Sequence, residues 1–176
     1  MKFTQIVKVP KERINVIIGK GGEVKKKIEE ETNTKIKISE EGVSIEGDDS
    51  VMVWIVRDLI RAIARGFSPE KAFRLLNEEN IIEIIDLTEY AGKSKNALVR
   101  LKGRIIGKEG KARKLIEELS ETYISVYGKS VALIGKIENI EIARRAIIML
   151  LEGARHATVY RMLERERRRL KEMVLL

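Results

Sequence analysis

Ile17-Ile18-Gly19-Lys20-Gly21-Gly22 and Ile105-Ile106-Gly107-Lys108-Glu109-Gly110 are two versions of one phrase, set 107 − 19 = 88 residues apart. Holding the offset at 88 extends the match without a gap. Lys26 pairs with Lys114, Ile28 with Ile116, Glu29-Glu30 with Glu117-Glu118, Thr34 with Thr122, Ile36 with Ile124 and Gly47 with Gly135. Positions 17 to 47 hold 13 identities in 31, where unrelated stretches of average composition give about two. An internal repeat of this kind makes the chain two copies of one module.

The elements around the phrase follow from pattern and punctuation. Phe3 to Val9 alternates toward Pro10 and reads as a strand, and Lys11 to Ile18 as a short helix. The glycines interrupt that helix, and a helical pattern resumes from Glu23 to Glu31. Thr34 to Ser39 alternates with Ile36 and Ile38 inward, Glu41-Gly42 turns, and Val43 with Ile45 forms a partner strand. Asp48 or Asp49 caps a long helix through Arg65, with Val51, Ile55, Leu59, Ile60 and Ile63 on its apolar face. The order is strand, helix, helix, strand, strand, helix. In the second copy Ile81 to Leu87, Asn96 to Ile106, Lys111 to Leu119, Tyr123 to Tyr127, Val131 to Ile134 and Asn139 to Glu152 repeat it.

The expected architecture is therefore α+β, with a first module over 1–66, a connector helix within 67–79, a second module over 80–153 and a C-terminal basic helix within 154–176. Ser68-Pro69-Glu70 starts the connector, a hydroxyl cap followed by proline at the first helical position. It shows no counterpart at the same point of the second copy. The run Arg165-Glu166-Arg167-Arg168-Arg169 near the C-terminus suits RNA phosphate, a protein partner or bare solvent equally.

Composition narrows the chemistry. The net charge is +8, and residues 1–78 contribute 15 bases and 13 acids against 20 and 14 in residues 79–176. The excess concentrates between Arg100 and Lys114, where seven bases face only Glu109. A basic balance of this kind suits a polyanionic partner. The absence of cysteine excludes disulfides and thiolate metal sites. No apolar run reaches membrane-spanning length and no signal peptide opens the sequence, so a cytoplasmic protein without membrane contact is expected.

The glycine phrase carries the functional signal. A helix that breaks at Gly-x-x-Gly and restarts offers backbone N–H groups and the positive end of the second helix to solvent. Glycine lets a phosphate chain approach with no Cβ in the way. Lysine between the glycines adds charge without demanding one geometry. Ile17, Ile18, Ile105 and Ile106 are placed to line an apolar floor. Ile36, Ile38, Ile124 and Val126 form its far wall or belong to the core. A charged rim beside an apolar groove suits single-stranded nucleic acid. The expected RNA-binding residues are Ile17, Ile18, Gly19, Lys20, Gly21 and Gly22 in the first module. In the second they are Arg104, Ile105, Ile106, Gly107, Lys108, Glu109, Gly110, Lys111 and Arg113, with Arg104, Lys111 and Arg113 flanking a phosphate path.

On these residues both modules resemble type I KH domains, over roughly 2–66 and 80–153. The resemblance implies a three-stranded sheet backed by three helices and about four nucleotides held per module. The connector Arg65-Gly66-Phe67-Ser68-Pro69, the strand Ile84-Ile85-Asp86-Leu87 and Gly103-Arg104-Ile105-Ile106-Gly107 narrow the likeness to archaeal tandem-KH small-subunit ribosome-assembly factors. These are related to the eukaryotic partner-of-Nob protein. The resemblance implies binding near the 3′ end of small-subunit rRNA, with translation-initiation or rRNA-processing proteins as partners. Eukaryotic relatives commonly have a degenerate first glycine loop, whereas Gly19-Lys20-Gly21-Gly22 is intact, so the first module takes RNA, a protein or both. A protein-interaction adaptor and a general mRNA binder are the alternatives.

Nothing points to catalysis or a cofactor. The P-loop spacing is not met at Gly19 to Lys25, no metal-ligand cluster occurs, and the lone His156 lies in a basic helical tail. Trp54 falls at helical spacing that favours the core over a base-stacking platform. Packing is also the favoured role for Tyr123 and Tyr127. The carboxylates Glu29-Glu30-Glu31 beside Lys25-Lys26-Lys27 read as a solvated helix face.

Overall fold

The computed structural model describes residues 1–175, so Leu176, the last residue of the expected C-terminal segment, lies outside them. The chain divides into two units, Met1–Glu78 and Glu79–Leu176. In the first, β1 (Phe3–Val7), α1 (Lys11–Ile18), α2 (Glu23–Thr32), β2 (Thr34–Ser39), β3 (Gly42–Gly47) and α3 (Ser50–Ala64) follow in order. A short α4 (Pro69–Ala72) runs into a 3-10 turn at Phe73–Leu76. The strands form an antiparallel sheet in the order β1-β3-β2, with Ile36 opposite Ile45 and Gln5 opposite Ile45.

The second unit repeats this with β4 (Asn80–Asp86), α5 (Thr88–Ala91), α6 (Lys95–Ile106), α7 (Lys111–Ser120), β5 (Tyr123–Tyr127), β6 (Ser130–Lys136) and α8 (Ile137–Leu151). It ends in α9 (His156–Val174), and its sheet order is β4-β6-β5. Both units are thus type I KH folds. The turn α5 is an addition to the sequence pattern of the second copy. Asp86 accepts hydrogen bonds from the Thr88 backbone and hydroxyl at 2.9 and 2.6 Å, which starts it and holds the Asp86 carboxyl below its usual range.

Each core is one layer of aliphatic side chains between sheet and helices. Ile17, Ile28, Ile36, Val43, Ile45, Val56 and Ile60 are fully or almost fully buried in the first unit. Ile105, Ile116, Ile124, Val131, Leu133, Ala143 and Ile147 take the matching places in the second. Local chemistry sets the helix starts. The Asp49 carboxylate accepts from Val51 and Met52 N–H at the head of α3, and the Ser94 hydroxyl from Ala97 N–H at the head of α6.

Two polar devices recur in both units. The first ties the second helix to the strand after it. Lys25 Nζ lies 3.1 Å from Glu29 Oε1 while Glu29 Oε2 accepts from Ile36 N–H at 2.9 Å. Arg113, Glu117 and Ile124 repeat this at 2.8 and 2.8 Å, and the Arg113 guanidinium also reaches Ile124 O at 3.5 Å. Glu29 is therefore no solvated face residue but the partner of an edge-strand amide. The second device is an arginine brace. Arg13 donates to the carbonyls of Ile63 and Phe67, both at 2.8 Å. Arg104 donates to Leu150 at 3.0 Å and to Ala154.

The brace exposes a longer repeat than the gapless comparison allows. Its acceptors are offset by 150 − 63 = 87 and 154 − 67 = 87, and the next helices start at Pro69 and His156, again 87 apart. Buried Ala72 and Leu75 then match buried Val159 and Met162. The connector does have a counterpart, and it is the first half of α9. One residue is missing between β6 and α8, and this shifts the register from 88 to 87. Within the first unit the connector packs on α3, and Phe73 receives Lys27 Nζ 4.6 Å above its ring. Within the second, α9 lies on α7 and α8, where Glu166 pairs with Arg169 at 2.7 Å and Arg145 at 3.2 Å. These hydrogen bonds, that from Arg169 foremost, hold the Glu166 carboxyl below its ordinary range against the opposing effect of burial.

Each brace supplies two hydrogen bonds from a charged donor, although the Ile63 and Leu150 carbonyls also accept from the Gly66 and Gly153 N–H groups. Arg13→Ala and Arg104→Ala should each lower unfolding free energy by roughly 2 kcal/mol, as expected for bonds to a charged donor. Urea denaturation of the two variants measures it.

Candidate nucleic-acid interface

The two glycine loops share one backbone path. Gly19 and Gly107 end α1 and α6 at φ 76°, ψ 174° and φ 74°, ψ 176°. Residues 21 and 22 then take φ 62° and 79°, and residues 109 and 110 take φ 57° and 76°. All are left-handed, which glycine adopts freely and other residues do not. Glu109 is the exception, a side chain held where the first loop has Gly21.

The first glycine of each loop is fixed by packing as well. A Cβ on Gly19 would lie 2.4 Å from Val24 Cγ2, and one on Gly107 2.6 Å from the Ala112 Cβ. The helix after the break crosses directly over this glycine. At Gly21, Gly22 and Gly110 an added Cβ meets nothing within 4 Å. These positions are open to solvent, leaving room for a chain to approach. No side chain caps α2 at Gly22 or α7 at Gly110, so the positive helix ends face outward.

Side chains around the loops divide into three groups. Lys20, Gly21, Lys108, Glu109 and Lys111 are exposed. Ile17 and Ile105 are wholly buried and belong to the core, whereas Ile18 and Ile106 are part-exposed beside the loop. On the neighbouring strands Ile36 and Ile124 are core, and Ile38 and Val126 are part-exposed. The apolar rim is thus the outer member of each Ile-Ile pair with the outer strand residue.

Two basic residues have structural duties. Arg104 points its guanidinium at the Leu150 and Ala154 carbonyls, away from a loop-flanking role, and its own carbonyl meets His156 Nε2 at 2.8 Å. Arg113 is paired with Glu117. Lys114, exposed one turn beyond Lys111, extends the same charged edge. Trp54 is 51% exposed, not core, with the Arg57 guanidinium 3.9 Å over its ring. Tyr123 and Tyr127 are part-buried on the sheet face opposite the helices. Among the described residues no group of three His, Cys, Asp or Glu is placed to hold a metal, and no helix is long and apolar enough to cross a membrane.

An uncapped helix end, two open left-handed positions with an exposed lysine, and an apolar rim form a candidate nucleic-acid-binding surface, present twice. Comparison with known proteins gives the family. Residues 4–62 match the KH domain family, and residues 81–168 match the family described as eukaryotic type KH-domain (KH-domain type I). A KH domain-containing protein of Methanocaldococcus jannaschii is 49% identical over 175 residues, 97% of this chain and 77% of that protein. The pre-rRNA-processing protein PNO1 of Chaetomium thermophilum is 36% identical over 119 residues, 65% of this chain and 45% of its own length. The present chain therefore corresponds to about half of that fungal relative. A chain in the crystal structure of the a/eIF2alpha–aDim2p–rRNA complex from Pyrococcus horikoshii aligns with TM-score 0.88 and 50% identity, covering 95% of each chain. This chain belongs to the tandem KH-domain family of the archaeal Dim2 and eukaryotic PNO1 proteins.

The loop geometry separates the glycines by cost. Gly107→Ala forces Ala112 aside and should destabilise the second unit markedly. Glu109→Gly relieves a left-handed side chain and should stabilise it by about 0.5–1 kcal/mol. Thermal unfolding of the two variants tests the contrast.

Proposed function

We propose that this chain binds single-stranded RNA through both glycine loops, that its target is the 3′ region of small-subunit rRNA, and that it acts in rRNA processing or subunit assembly. The observation that carries the reading is the loop itself, built twice on one backbone path, open at its second and third positions and ending in an uncapped helix. Backbone phosphates meet Lys20 or Lys108 and the amides at the start of α2 or α7. Bases lie against Ile18 and Ile38, or Ile106 and Val126. The PNO1 relatives, named for pre-rRNA processing, and the Pyrococcus complex containing rRNA support the choice of RNA. That complex also contains a/eIF2alpha, which supports an initiation factor as a protein partner. A binding role without catalysis, exercised in the cytoplasm, completes the proposal.

Exposed loop positions can be changed without touching the core. Lys108→Asp with Glu109→Asp should lower affinity for a short single-stranded RNA about tenfold or more, as lost charge contacts to phosphate do. The circular dichroism spectrum should stay unchanged. Unaltered affinity would remove phosphate from the second loop.

The number of engaged modules can be read from salt. Each neutralised phosphate of a single strand contributes about −0.7 to the log–log slope. With about four nucleotides per KH unit, one module gives roughly −3 and two give roughly −5 to −6. Oligonucleotides long enough to reach both loops should give the larger slope, and linkage should raise their affinity further. A slope near −3 at every length would leave one module off the RNA.

A further inference from the structure

The connector and α9 begin as equivalents and end differently. The connector stops at Leu76, whereas α9 continues to Val174. That continuation lies over the first half of α8. Glu166 is bonded to Arg145, Leu170 packs against the core, and Met173 shares a groove with Glu138 and Ile142.

The 87-residue register places Val51, Trp54, Ile55 and Asp58 of α3 where α8 has Glu138, Glu141, Ile142 and Arg145. No element of the first unit takes the position of the α9 continuation. Val51 is 65% exposed, Trp54 is 51% exposed, and Met52 and Ile55 are part-exposed. Where the covered helix carries two acids at its margin, the uncovered one presents valine and tryptophan to water. Large side chains facing solvent together on one helix mark an interaction surface. Tryptophan and arginine are the residues on which binding energy concentrates.

The charges beside this surface have a sign. Arg57 and Arg61 share one carboxylate, Asp58, at 3.1 Å each. Arg57 lies over the Trp54 ring and keeps its Nε buried without an acceptor. One positive charge is left over, next to an apolar strip one helix wide.

We propose that the first half of α3 is a seat for an amphipathic helix of a partner protein, lying as the second half of α9 lies on α8. Its apolar side chains cover Val51, Trp54 and Ile55, and a carboxylate on its flank meets Arg57 and Arg61. The α9 continuation supplies the template, with Leu170 packed on the core, Met173 in the groove beside Ile142, and Glu166 turned toward an arginine of the helix beneath. The seat contains no residue of either glycine loop, so it stands or falls apart from RNA binding.

Trp54 is the only tryptophan in the chain, so its emission reports this seat alone. The probe is a peptide of residues 156–175 carrying R161E, R165E and R168E, which keeps Leu170, Met173 and Glu166 and makes the outer face acidic. Titrated into the full-length protein, it should shift Trp54 emission to the blue in a saturable way. Val51→Glu, which installs the second unit's residue, and Arg57→Ala should each weaken the peptide about tenfold. Circular dichroism and RNA affinity should be unchanged in both variants. No saturable shift, or one that Val51→Glu leaves intact, overturns the proposal. A shift produced by an RNA oligonucleotide makes the surface an RNA site, and one produced by raising the protein concentration makes it a self-association face. Either result also overturns the helix seat.

Discussion

A methyl group that cannot exist at residues 19 and 107 governs both units. The second helix of each module turns back across the end of the first so closely that Val24 and Ala112 occupy the space a Cβ would need. That approach lets two short helices, of 8 and 10 residues in the first unit, behave as one rigid corner. Neither would hold its shape alone in water. The same corner leaves the next two backbone positions projecting, so the constraint that packs the helices also exposes the loop.

Everything else in the module fixes this corner against the sheet. The carboxylate of Glu29 or Glu117 ties the helix after the break to the edge strand, and Arg13 or Arg104 ties the helix before it to the end of the closing helix. Between the copies the geometry is kept more faithfully than the residues. Lysine 25 becomes Arg113 on the same carboxylate, and the Thr32–Thr34 hydroxyl pair becomes Ser120–Thr122, each at 2.8 Å. The brace is kept although its arginine moves. Arg13 and Arg104 are 104 − 13 = 91 residues apart, close to one helical turn away from the register of the loops. A long guanidinium reaches the same two carbonyls from either turn.

Sequence alone reveals the parts of this that depend on local order. The repeat, the glycine break, the strand alternation at Ile36 and Ile38 and the caps at Asp49 and Ser68 are all set by neighbours within a few residues. What it hides depends on reach or on cover. The destination of the Arg104 side chain lies 46 and 50 residues away, so its charge reads as loop charge. Trp54 sits at helical spacing, yet spacing tells only which face a residue shares, not whether another element lies on that face. The kinship of α4 and α9 is masked by the single residue missing before α8, which puts a gapless comparison out of register after Gly135.

The electrostatics of the interface change once the braces are taken into account. From the sequence, Arg100 to Lys114 carries a net +6 and Lys11 to Lys27 a net +4. Arg13, Lys25, Arg104 and Arg113 have partners inside the fold. The exposed cations nearest the two breaks are then Lys20 and Lys26 in the first module and Lys108, Lys111 and Lys114 in the second, none in an ion pair among the described residues. All five are lysines. Arg13, Arg104 and Arg113 have been drawn into the scaffold and Arg100 lies exposed about two turns before the second break, so the rim itself is a set of flexible lysine point charges. Such a rim attracts any polyanion and follows a backbone without choosing among sequences. Under the proposed RNA binding, discrimination falls to the narrow apolar ledge at Ile18 and Ile106 and to the strand edges facing it, where bases and not phosphates would lie. On that proposal affinity and selectivity belong to different residues of the same loop.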